Sequence, residues 1–148
     1  MSAGLLEARR QWREQHDATG LISHIPYAAW LGVRITPQAG SMVCLLPFCP
    51  DLVGNPTLPA LHGGVIAGFM ENAATLHLLL TTETTRVPKS VDFSIDYLRS
   101  ARAADLYAVC TVQRQGHRVA QVQVHAEQAG NDPSNRRTVA VARVHFLL

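Results

Sequence analysis

The chain has 148 residues, 47% of them hydrophobic and 16% charged, with a mean hydropathy of +0.06. A chain of that size and apolar content forms one domain that buries about 68–70% of the surface its unfolded form exposes, which excludes disorder and a multidomain machine. Thirteen Lys and Arg against eleven Asp and Glu leave a net charge of only +2, so nucleic acid is not an expected partner.

The N-terminus is charged within its first ten residues and carries no apolar stretch resembling a signal peptide. No run of about 18 apolar residues occurs, so a cytoplasmic chain with no membrane partner is expected. Cys44, Cys49 and Cys110 are odd in number and lack C-x-x-C spacing, which argues against a disulfide framework or a zinc site and fits a reducing compartment. Three basic clusters, Arg9 with Arg10 and Arg13, Arg99 with Arg102, and Arg136 with Arg137, read as solvated surface.

Residues 4–16 place Leu5, Leu6, Ala8 and Trp12 among Glu and Arg, a weak helical pattern that predicts a peripheral first helix. His24 to Trp30 reads as a short helical turn. Gly32 to Pro37 and Ser41 to Leu46 read as antiparallel strands joined at Gly40. Prolines 47, 50, 56 and 59, with Gly54, exclude an interior helix or central strand and predict an ordered loop. Leu61 to Leu80 is the long apolar-rich helical pattern of the chain.

After Pro88 the period becomes two, with Val91, Phe93, Ile95 and Tyr97 on one face and Asp92, Ser94 and Asp96 on the other. Leu106–Val112, Val119–Glu127 and Thr138–Phe146 follow as further strands. The order predicts an α+β fold, a mainly antiparallel sheet wrapped against one central helix, with residues 1–20 an N-terminal helical extension and 21–148 the main domain.

At 100° per residue, Gly64, Gly68, Glu71 and Thr75 fall within an arc of roughly 60°, while Val65, Phe69, Ala73, Leu76 and Leu80 gather opposite. His77 falls on the packing side as a satisfied core or interface residue. Glu71 is the one carboxylate in this helix, and a carboxylate among apolar residues is costly unless hydrogen-bonded, hydrated or used. Gly64 and Gly68 beside it remove bulk and would let a substrate chain or a backbone approach. Gly63 and Gly64 at the helix start expose backbone N–H groups able to polarise a carbonyl oxygen. The same pattern also suits a tight loop-to-helix junction with Glu71 facing solvent.

Leu61-His-Gly-Gly-Val followed by Glu71 resembles the signature of hotdog-fold acyl-CoA thioesterases of the phenylacetic-acid-degradation (PaaI-like) type. Ser90 to Arg99 is similar to that family's long central strand, and the resemblance spans about residues 22 to 147. It implies a hotdog fold and hydrolysis of an aryl or medium-chain acyl-CoA to free acid and CoA. It also implies protomers paired through their sheets, as a homodimer or dimer of dimers, with active sites at the interface.

By position, the resemblance makes Glu71 the base or nucleophile, Gly63 the N–H donor to the thioester carbonyl, His62 the histidine ordering that region, and Thr75 the hydroxyl steadying water. Where the family has Asn or Gln, six residues before the histidine, this chain has Pro56, and neighbouring Asn55 is the candidate replacement. Arg99 and the Gly116-His117-Arg118 turn are candidates for the CoA phosphates. No metal is assigned and no cofactor is expected, CoA being part of the substrate. An acyl-CoA binder without turnover, and a hotdog hydratase or dehydratase, are the alternatives.

Overall fold

A computed structural model describes residues 3–38, 41–84, 86–132 and 134–148; the turn expected at Gly40 lies outside them. Three helices come first: α1 (Ala3–Gln15), α2 (Thr19–Ser23) and α3 (Pro26–Leu31). Pro26 sits in the first turn of α3, where its missing N–H costs nothing, and Gly32 ends that helix at φ 75, a conformation glycine adopts without a Cβ clash.

Strands β1 (Arg34–Gln38) and β2 (Ser41–Leu46) pair antiparallel as expected. The proline-rich segment holds more order than a loop: a 3-10 turn at Pro50–Leu52 leads into β3 (Val53–Asn55) and β4 (Leu58–Leu61), a two-stranded ribbon of its own. Asn55 pairs with both Leu58 and Ala60, so Pro59 falls at an irregularity of the ladder, a place where a strand tolerates proline.

The central helix α4 (Gly63–Thr81) is followed by β5 (Lys89–Tyr97), β6 (Leu106–Gln115), β7 (Val119–Ala129) and β8 (Arg136–Leu147). The main sheet runs β1-β2-β6-β7-β8-β5, antiparallel between the neighbours for which registers are defined, with β1 and β5 at its edges. Alternation, unbroken along β7 and interrupted by one irregularity each in β6 and β8, puts Leu106, Val122, Val124, Val144 and Phe146 on the inner face, where they are buried with Phe69, Met70 and Leu76 of α4. Each such side chain contributes about 1.5–3 kcal/mol on burial.

Burial on α4 is wider than one stripe, taking in Ile66, Ala74, Leu78 and Leu79, while Val65 and Leu80, expected on the packed face, are half-buried. By length and composition α4 could cross a bilayer, but here it is the core helix of the sheet.

One member of a basic cluster is not surface, although Arg10 and Arg13 beside it are exposed. Arg9 is 5% exposed; its guanidinium donates to the carbonyls of Thr84 at 2.7 Å and Thr82, and pairs with Glu83 at 3.6 Å. It thereby ties α1 to the end of α4. Leu5 and Ala8 of α1 belong to the same core.

Candidate active site

α4 begins at a well-determined point. His62 is its N-cap, extended at φ −62 and ψ 134, held from behind by its own N–H donating to the Leu52 carbonyl at 2.9 Å. Its Nδ1 accepts from the Gly64 N–H at 2.9 Å, and its carbonyl accepts from Val65 at 3.0 Å and Ile66 at 3.1 Å. Because a backbone N–H can only donate, Nδ1 is the unprotonated nitrogen of the ring. Of the first-turn donors, the Gly63 N–H alone has no partner among the described residues. The pair of open donors expected at Gly63 and Gly64 is therefore a single one, standing on the positive end of the helix.

Tyr97, the last residue of β5, donates its hydroxyl to the Gly63 carbonyl at 2.7 Å, and a Cβ at Gly63 would lie 3.3 Å from that hydroxyl. The helix start is thus strapped to the edge strand. Asn55 is exposed in the β3–β4 hairpin, where its side-chain oxygen accepts from Thr57 N–H at 3.0 Å and from Thr57 Oγ1 at 2.7 Å. That oxygen is engaged within its own turn. Gly54, next to it, packs against His62, where a Cβ would stand 3.0 Å from the His62 Cα.

Eight residues beyond Gly63, Glu71 is half-buried and accepts a hydrogen bond from Ser90 Oγ on Oε1. Sequence alternation places Val91 inward and Ser90 outward, and the reverse holds. Ser90 pairs with Phe146 but Asp92 pairs with His145, so one extra residue sits in β5 at Val91. This bulge flips the parity of the strand, exposing Val91 and turning Ser90 toward α4, as bulges on edge strands often re-aim a side chain. Thr75 is 8% exposed and its hydroxyl donates to the Glu71 backbone carbonyl at 3.0 Å, so its proton serves the helix and only its oxygen can still accept.

The glycines of this face are not open slots. A Cβ at Gly64 would stand 3.0 Å from His62 Nδ1, and one at Gly68 would stand 2.8 Å from the Tyr27 hydroxyl and 3.0 Å from Tyr27 Cε1. Side chains of the same chain fill the space that a substrate was expected to use. His77, expected to be satisfied, has a buried Nδ1 with no hydrogen-bond partner among the described residues, and burial holds its pKa below the usual 6.5.

Within one chain Gly63 and Glu71 are far apart, eight residues of helix being about 12 Å along the axis. Among the described residues, five of the best-formed clefts are lined by neither of them. The two candidate phosphate ligands also diverge. Tyr97 pairs with Ala140 and Val119 with Leu147, so Arg99 and Arg118 leave opposite ends of the sheet, seven strand residues or about 24 Å apart. Arg99 donates to the Thr138 carbonyl, while Arg118 lines a cleft of about 490 Å³ with Arg114, His117 and His145. Among the described residues no group of three His, Cys, Asp or Glu side chains could hold a metal ion.

A sheet wrapped on one helix, with a free N–H at the helix start and a carboxylate two turns along it, has the elements of an acyl-transfer enzyme. The family model of the Thioesterase superfamily matches residues 58–133, taking in β4, α4 and strands β5 to β7. The chain belongs to that superfamily, whose members are thioester hydrolases with the hotdog fold.

Among its relatives is the medium/long-chain acyl-CoA thioesterase YigI of Salmonella typhimurium, 30% identical over 122 residues that cover 72% of this chain and 79% of that protein. A crystal structure of a Chromobacterium violaceum protein is 39% identical and superposes with a TM-score of 0.72, covering 96% of both chains. A phenylacetic acid degradation-related protein of Ralstonia eutropha shares the fold at 19% identity, with a TM-score of 0.72 over 95% of this chain and 98% of that one.

Proposed function

We propose that the chain hydrolyses acyl-CoA thioesters at a site completed by a second copy, with the Gly63 N–H of one protomer polarising the thioester carbonyl and Glu71 of the partner subunit supplying water or attacking directly. The observation that carries this reading is the Gly63 N–H, without a partner among the described residues and tied through Tyr97 to the same edge strand whose Ser90 holds Glu71. β5 is a free edge with Val91 and Tyr97 exposed on it and Leu98 exposed just beyond its end, a surface that favours strand-to-strand pairing. Antiparallel pairing of two β5 strands about a twofold axis near Phe93 and Ser94 sets Tyr97 beside Ser90 of the partner subunit. Gly63 then stands near Glu71 of the partner subunit, closing the 12 Å gap that one helix leaves open.

In this site Ser90 engages one carboxylate oxygen of Glu71 and leaves Oε2 for water or for the carbonyl carbon. The developing oxyanion meets the Gly63 N–H, and the C–S bond breaks. On the base route the CoA thiolate takes up the proton that Glu71 removed from water. On the direct route it takes one from solvent, while water cleaves the acyl-Glu71 anhydride to free acid and restored carboxylate. The same pairing brings Arg99 of one protomer to the end of the sheet where Lys89 and Arg118 of the partner subunit lie, which makes a basic rim for the phosphates of CoA.

A free-thiol assay against short, medium, long and aryl acyl-CoAs tests the reading. Glu71→Gln is expected to lower kcat about 10²–10⁴-fold with the fold intact. Wild-type rates in that variant overturn Glu71 as the reacting carboxylate, and binding without thiol release in the wild type identifies an acyl-CoA binder instead. Mixing Glu71→Gln chains with chains lacking the Gly63 N–H restores turnover if the site is shared, because each mixed dimer then holds one complete pair.

A further inference from the structure

We propose that Tyr27 sets which acyl groups the protein accepts, its ring forming the wall of the acyl site one turn along α4 from Glu71; this rests on the hydrolase reading above. The Tyr27 ring lies directly on the α4 backbone at Gly68, close enough that a Cβ there would stand 2.8 Å from its hydroxyl oxygen. Residues three apart on a helix share a face, with Cβ positions about 5–6 Å apart, so the ring over Gly68 is the immediate neighbour of the Glu71 side chain. The Tyr27 hydroxyl has no hydrogen-bond partner among the described residues.

The aromatic surface does not stop at Tyr27. Trp30 stacks on it with ring centroids 5.9 Å apart and planes at 19°, and it is 77% exposed, the most of any large hydrophobic residue described. Tyr27 itself is 44% exposed. α3 thus presents an apolar wall that begins on the Glu71 face of α4 and runs outward.

The two halves of an acyl-CoA differ in what they need. The nucleotide end needs cations and hydrogen-bond donors, and those lie at the ends of β5 and in the Arg114–Arg118 cleft. The acyl end needs apolar surface next to the reacting carbonyl, and α3 supplies it beside Glu71. A stacked tyrosine and tryptophan accept either an aryl ring or a methylene chain, and the depth available is set by how far the Tyr27 ring projects from Gly68.

The test compares the ratio of kcat/KM for long over short straight-chain acyl-CoAs in the wild type, Tyr27→Phe, Tyr27→Ala and Tyr27→Trp. Acyl-CoA affinity is measured in parallel by tryptophan fluorescence in the Glu71→Gln background, with light scattering and thermal unfolding as checks on assembly and folding. Tyr27→Phe keeps the wall and is expected to keep the wild-type ratio. Tyr27→Ala opens the site and raises the ratio by about fourfold for each methylene newly buried, and Tyr27→Trp lowers it. The affinities follow the same order.

An unchanged ratio and unchanged affinities across all three folded variants overturn the proposal while leaving the hydrolase reading in place. A shift confined to oligomeric state also overturns it, identifying α3 as a protomer contact. If the wild type releases no thiol yet the affinities shift with chain length as described, the hydrolase reading fails and Tyr27 stands as the acyl selector of a binding protein.

Discussion

The two ends of α4 are finished in opposite ways. At the C-terminal end side chains close on the backbone: Thr82 donates its N–H to the Leu78 carbonyl at 3.0 Å and its hydroxyl to the same carbonyl at 2.6 Å, Thr81 donates to the His77 carbonyl at 2.7 Å, and Arg9 reaches across from α1 to the carbonyls of Thr82 and Thr84 just beyond the helix. A buried cation at the negative end of a helix dipole is itself favourable. At the N-terminal end His62 satisfies its neighbours, and one donor, the Gly63 N–H, is left over. Nothing in chain connectivity forces that difference. The closed end serves stability, and the open end holds one backbone donor in place.

If this division holds, a change at the open end strikes turnover and spares stability. Gly63→Pro is the sharpest such change. Proline suits the first helical position, and His62 already has the extended backbone that a following proline requires, so the helix start is retained while the N–H disappears. We expect kcat to fall about 10²–10³-fold with little change in Tm. Gly63→Ala keeps the N–H but also brings a Cβ toward Tyr97, so its smaller loss measures the steric part. Equal losses in the two variants mean that the N–H does not act on substrate.

At the closed end the opposite holds. Arg9→Met keeps the apolar stem packed but removes the donors to Thr82 and Thr84, and a hydrogen bond from a charged group is worth about 1.5–3 kcal/mol. We expect a loss of that size in denaturant unfolding, with kcat unchanged for the molecules still folded. A stability change within error would mean that Arg9 is replaced there by water.

What the sequence made legible follows the same line between local and long-range order. Strands β6 to β8 are readable because each buries one face in an alternation that a single irregularity in β6 and in β8 does not hide, and α4 because no other stretch sustains a helical period so apolar. Glu71 stands out as a lone carboxylate there. Ser90 does not, since a single extra residue at Val91 reverses the strand parity and no local pattern announces a bulge. Tyr27 is likewise silent, because its contact with Gly68 joins two helices 41 residues apart in the chain. Arg9 reads as surface for the same reason: only the packing of α1 on the end of α4 buries it. Arg99 and Arg118 look alike as cations near strand ends, but which end each occupies is decided by the antiparallel order of the sheet.

His77 is the flaw in the closed end, and it gives the smallest effect and a pH signature. Its ring lies toward the end of α4 in a cleft lined also by Trp12, Arg13, His16, Met42 and Leu80, with Nδ1 buried and unpartnered. Burial disfavours the charged ring, so the folded chain binds this proton less readily than the unfolded chain, in which histidine titrates near 6.5. Above that pH both states are neutral here and the group makes no demand on stability. As pH falls below about 6.5 the unfolded state gains a proton that the folded state resists, and stability is lost. His77→Met removes the titration while keeping the volume, so the fall in Tm between pH 7.5 and pH 5 should shrink by a few degrees relative to the wild type. An identical pH dependence in the two proteins would assign the acid sensitivity to other groups and leave His77 a neutral packing residue at either pH.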